Sequence, residues 1–281
     1  MLGKLLKYDI KAQLKEFIGM YIMLFMTSVL LLIAGKLGDA YPQATLFTVA
    51  KGLLIFLFVL EITGVFIATW IMSLLRYRKN MLKDEGYLMH TLPVSAAQLH
   101  FSKLIVSVFW YAMDTIAAII AAMIAYGDMG VMKRIIDSLK SSTDGQLGVS
   151  VLLLFAAAII ISIIMTQSQI YVSLCLGHTS YGNKDLMSFV AYIVTYIISQ
   201  VVSLIALMIY FLTTTGSFMG MITTSTSVNK AMSDVEVMAV EMESLNMVKG
   251  MMIVSIVVVL LISVAYNVVS VYVLNKKLNL E

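Results

Sequence analysis

The chain is poor in the residues that mark disulfide-bonded, metal-bound and soluble domains. Cysteine occurs once, as Cys175, so no internal disulfide can form, and neither a CxxC pair nor a Cys/His set at zinc spacing is present. Two prolines and sixteen glycines exclude collagen-like and linker-rich chains. Charged residues are 12% of the 281 positions, about half of the ~25% usual in soluble domains. No GxxxxGK[ST] run occurs, so the chain has no P-loop to cradle nucleotide phosphates, and the HExxH signature of zinc proteases is absent too. We expect no enzymatic activity, catalytic residue, metal site or cofactor on this chain.

What is abundant is apolar surface. Apolar and aromatic residues make up 60% of the chain and the mean hydropathy is +0.95. That is more than a core can bury, so the excess must face lipid. The apolar residues come in long runs rather than in the short alternating segments of a membrane barrel. Six runs are long enough to span: Phe17 to Ala34, Leu53 to Leu75, Leu104 to Tyr126, Val149 to Leu174, Leu186 to Leu212 and Met251 to Leu274. The fold class is therefore an all-α membrane protein with six transmembrane helices. An even number of spans puts both termini on one side. That side carries four Lys/Arg in 1–16, five in 76–103, one in 175–185 and two after Leu274, against seven on the other. The positive-inside rule makes it cytoplasmic.

Between the spans the pattern predicts further elements. Leu2, Leu5, Leu6, Ile10, Leu14 and Phe17 share one helical face, with Lys4, Lys7, Lys11 and Lys15 opposite. This predicts an interfacial amphipathic helix over 1–16, its lysines near anionic lipid headgroups, ahead of a six-span domain over 17–281. On the external side, Ser233 and Glu236 form a capping-box signature for a short helix inside the segment 213–250. The threonine-rich stretch Thr213 to Ser227 before it is expected to dip into the membrane as shielded, irregular backbone. Another short helix is expected around Val131 to Leu139. No repeat of 20 to 50 residues is evident.

The cytoplasmic connection 76–103 is built as helix, break, helix. Met81, Glu85, Leu88, Met89 and Leu92 lie on one helical face, and Pro93 forces Leu92 out of the α region. Ser95 and Gln98 form a second capping box. The helix it starts meets no stop signal before Gly127 and should run straight into the third span. A short helix rigidly joined to a membrane helix is a lever.

The run Asp84-Glu85-Gly86-Tyr87-Leu88-Met89-His90-Thr91-Leu92-Pro93-Val94-Ser95, with Gln98-Leu99 and Lys103-Leu104 after it, resembles the signature between the second and third helices of ABC-2 type transporter permeases. About 25 residues carry the likeness closely. The layout extends it: an N-terminal interfacial helix, six spans and a large external segment before the last helix. Where some members have a glutamate three residues after the glycine, this chain has Met89, so that carboxylate's role does not carry over. The resemblance implies a coupling helix in which Asp84, Glu85, Gly86, Leu88, Leu92 and Pro93 meet a cytoplasmic P-loop ATPase subunit. It also implies ATP–Mg bound on that partner, a second permease copy or a homologous permease, a bacterial plasma membrane, and export of an amphipathic or hydrophobic substrate such as a peptide, drug or lipid-like molecule. No nucleic acid partner is expected. An ATP-independent channel or secondary carrier and a cargo-free scaffold or sensor are the alternatives.

Two carboxylates interrupt the spans, Glu61 in the second and Asp114 in the third. Each costs at least ~2.5 kcal/mol to insert, so both should face the bundle or a wet cavity. With no Lys or Arg inside the six spans, they are expected to be protonated, to bond to Thr63, Gln167, Gln169, Gln200 or Asn267, or to line a translocation path favouring cationic cargo. The 22 methionines are scattered, without a cluster around His or Cys, and read as flexible packing rather than as copper ligands. His90, His100 and His178 read as polar surface or interfacial residues.

Overall fold

The computed structural model describes residues 2–41, 43, 45–82, 94–127, 133, 134, 137, 146–180, 182–226 and 234–276. Their regular secondary structure is all helical, joined by turns. The long helices are α1 (Leu2–Ala40), α2 (Thr45–Tyr77), α3 (Ala96–Tyr126), α4 (Gln146–Gly177), α5 (Lys184–Thr226) and α6 (Asp234–Lys276). A π-helical turn, Arg78–Leu82, continues α2. Each long helix contains a stretch apolar and long enough to cross a membrane, the shortest of 28 residues. At ~1.5 Å per residue that stretch reaches about 42 Å, beyond the ~30 Å of a hydrocarbon core. The chain is a multi-pass helical membrane protein, and all six sequence runs fall inside these helices.

The helices outlast the apolar runs because nothing in the sequence stops them. The described helices contain no proline; in sequence, Pro42 comes between α1 and α2 and Pro93 between the π-turn and α3. Residues 2–16, expected as a separate interfacial helix, continue unbroken into the first span as one helix of 39 residues. The stretch 213–226, expected as irregular backbone, is the end of α5 instead. There Thr213 and Thr214 donate their hydroxyls to the carbonyls of Tyr210 and its neighbour Ile209, which satisfies the side chains without breaking the helix. The short external helix expected after Ser233 does start, at Asp234, but passes through Gly250 and is continuous with the sixth span. Of the helix expected over Val131 to Leu139, Lys133, Arg134 and Asp137 are described, and they are helical.

The start of α3 follows its signature. Ser95 is extended at φ −72°, ψ 150°, its hydroxyl accepts from Gln98 N, and the Gln98 side chain returns to Ser95 N. From there α3 runs 31 residues to Gly127, whose φ of 66° closes the helix in the left-handed region. Only glycine adopts this conformation at little cost.

The described residues divide into two compact units, 1–141 with 274–281, and 142–273. In the first, α3 is the most enclosed helix and packs against α1 and α2. One apolar cluster joins Leu24, Leu31, Phe58, Ala117, Ala121 and Ala125. A second joins Phe17, Val106 and Trp110, with Leu6 and Ile10 laid against it, and the Phe17 and Trp110 rings stack at 4.0 Å. Part of the apolar face of residues 2–16 is thus covered by protein, while the four lysines stay exposed. In the second unit α4 and α5 pair across a tight turn. Asn183 caps α5 by accepting from Asp185 N and Leu186 N, and a Cβ on Gly177 would overlap Ser188. Buried polar contacts tie in α6: Tyr266 donates to Thr195 O at 2.6 Å, and Asn267 to Ser168 Oγ at 2.8 Å.

Candidate functional site

The first unit holds a file of buried polar groups where α1, α2 and α3 meet. Its lowest member is an ion pair. Lys103 Nζ lies 2.8 Å and 2.7 Å from the two carboxylate oxygens of Asp9, and both residues are buried. Nearby, Tyr77 Oη at the end of α2 lies 2.9 Å from His100 Nδ1, with the rings edge to face. His100 is fully enclosed, contrary to the surface position expected of it, because the first turns of α3 turn that side toward Tyr77. His178 is likewise buried, its Nδ1 3.0 Å from Leu174 O at the end of α4.

About 18 Å further along α1, counting ~1.5 Å per residue from Asp9 to Tyr21, lies Asp114. Its carboxyl group is buried and accepts from Tyr21 Oη at 2.6 Å on one oxygen, while Thr69 Oγ1 lies 2.6 Å from the other. Thr69 Oγ1 is also 3.0 Å from Val65 O, so one hydroxyl proton faces two acceptors. A further ~9 Å on, the pattern repeats. Thr27 Oγ1 lies 2.9 Å from Glu61 Oε1 and 3.1 Å from Met23 O. The second oxygen of Glu61 is buried and has no hydrogen-bond partner among the described residues. At both sites one threonine hydroxyl lies between a carboxyl oxygen and a backbone carbonyl of its own helix.

The partners are thus Tyr21, Thr69 and Thr27. Of the residues expected in that role, Thr63 turns away and donates to its own helix at Val59 O, Gln200 is exposed, and Asn267 bonds Ser168. The expected coupling residues Asp84, Glu85, Gly86, Leu88, Leu92 and Pro93, together with His90, lie outside the described residues. The structure defines what flanks them: the π-turn with Asn80, Met81 and Leu82 buried on one side and the capped start of α3 on the other. Beside the π-turn a hollow of about 510 Å³ opens between α1 and the end of α2, lined by Tyr8, Asp9, Glu16, Arg76, Lys79 and Asn80 among others.

The role of Asp9 was legible but missed. It is an acid on the apolar face of residues 1–16, beside Leu5, Leu6 and Ile10, and a charge so placed needs a buried partner. Nothing local in the sequence singles out Tyr21, Thr27 or Thr69. Among the described residues no three His, Cys, Asp or Glu side chains gather as a metal ion would require. Comparison of the chain with family models, curated proteins and solved structures finds no match.

Proposed function

We propose that the chain is the membrane-spanning permease subunit of an ATP-driven transporter of the ABC-2 type, in a bacterial plasma membrane with both termini cytoplasmic. It works with a second permease copy or a homologous permease and with separate P-loop ATPase subunits that bind ATP–Mg. The observation that carries this reading is the signature-bearing connection 76–103 and the way its C-terminal end is built. Ser95 caps a helix that continues without interruption into the third span, and that helix is tied to α1 by Lys103–Asp9 and to the end of α2 by His100–Tyr77. A push delivered to the start of α3 would therefore move three helices together. Closure of the ATPases supplies the push, and tilting of α3 opens a path for an amphipathic or hydrophobic substrate, outward as the resemblance implies.

A secondary carrier is the second reading, favoured by the two membrane carboxyl groups whose threonine partners lack enough protons for their contacts. Affinity purification of the tagged chain from its native membrane separates the two. Stoichiometric recovery of a P-loop ATPase supports the first. Recovery without an ATPase, with proton-driven uptake after reconstitution, overturns it in favour of the second.

A further inference from the structure

At the end of the first unit remote from the Asp9–Lys103 pair, a cavity of about 550 Å³ opens among α1, α2 and α3. That is a volume typical of small-molecule sites. Its walls are apolar, with Leu31, Phe58, Val59, Ile62 and Ala125 prominent, and its rim carries Lys36, Asp39 and Lys51. Small residues create the space: α3 contributes Ala122 and Ala125, and Gly35 has no side chain where Lys51 Nζ comes within 4.0 Å of an ideal Cβ. Lys36 and Lys51 are both exposed, and neither has an ion pair or hydrogen bond among the described residues. Two lysines against one aspartate leave the rim net positive.

Depth identifies the ligand class. From Lys51 to Ile62 the wall on α2 descends about 16 Å at ~1.5 Å per residue, which is half of the ~30 Å hydrocarbon thickness and so one leaflet. A cationic rim over an apolar wall one leaflet deep matches a molecule with an anionic head and an acyl chain. We propose that this cavity binds one anionic membrane phospholipid, its phosphate held by Lys36 and Lys51 and an acyl chain lying along Phe58, Val59 and Ile62. The site stands independently of the ATP-driven reading.

Native mass spectrometry of the purified full chain in detergent, with phosphatidylglycerol and phosphatidylcholine of equal chain length in competition, tests it. The expected first adduct is phosphatidylglycerol, favoured at least threefold. Lys36→Glu with Lys51→Glu should abolish that preference at an unchanged melting temperature, since both side chains are exposed. Val59→Trp, which fills the wall from an exposed position, should lower occupancy. Lys4→Ala with Lys7→Ala should leave the first adduct intact. Equal binding of the two lipids by the wild type, or a preference that survives in the Lys36/Lys51 variant and disappears in the Lys4/Lys7 variant, would overturn the proposal.

Discussion

Neutralising one member of the Asp9–Lys103 pair isolates the contact that binds the N-terminal helix to the start of α3. Asp9→Asn keeps the shape of the side chain but removes the charge that faces Lys103 Nζ at 2.7 and 2.8 Å. Lys103, buried at 5% exposure, then loses the Asp9 carboxylate. Breaking a buried pair in this way costs about 3–5 kcal/mol. Asp9 precedes the first apolar run by two turns, however, so the lysine can extend its head toward water, and the lower end, about 3 kcal/mol, applies. Lys103→Met should cost a similar amount by stranding Asp9, whereas the double variant strands neither charge. A double-mutant cycle, read by equilibrium unfolding in mixed micelles, should therefore give a coupling energy of about 2 kcal/mol. Additive single effects, or a coupling below about 0.5 kcal/mol, would refute the view that this pair holds α1 to α3.

Three further outcomes follow from the same contacts. Asp114→Asn should melt within a few degrees of wild type, because the amide accepts from Tyr21 and donates to Thr69. Asp114→Leu should lose about 1–3 kcal/mol by removing the acceptor of the half-buried Tyr21 hydroxyl and the carboxyl contact of buried Thr69. Equal melting of the two would remove any structural role for the carboxyl group. Ser95→Ala deletes the cap of α3 and should cost about 1 kcal/mol in thermal unfolding, and no shift would mean that the cap is dispensable. Gly127→Ala forces a side chain into the left-handed region and against Leu32, for a loss of about 1–2 kcal/mol; a neutral result would show that α3 can end in another conformation.

The spans were readable because lipid exposure demands long apolar runs, and each run lies within a helix. Helix ends were readable only where a residue enforces them. Ser95 and Gly127 did so. At 16, 213 and 250 apolarity gives way to polarity without a proline or a capping geometry, and the helices continue, since apolarity reports depth in the membrane rather than backbone conformation. Asp114 and Glu61 stood out as costly residues in apolar runs. Their partners did not, because Tyr21, Thr27 and Thr69 are ordinary in membrane helices and meet the carboxyl groups only through the mutual rotation of α1, α2 and α3. The coupling segment rests on its sequence signature alone.

The central claim is that Asp84 to Leu92 is where a partner ATPase engages the chain. Leu88→Asp with Leu92→Asp places two charges on the face expected to meet an apolar groove on that partner, where desolvating them without counter-ions is prohibitive. Both positions lie outside the six apolar runs, so the membrane bundle should keep its melting temperature. Pull-down of the ATPase by the tagged double variant, measured against wild type, is the direct test. The account requires retention to fall at least tenfold with folding intact. Undiminished capture of the ATPase by the folded double variant would contradict it.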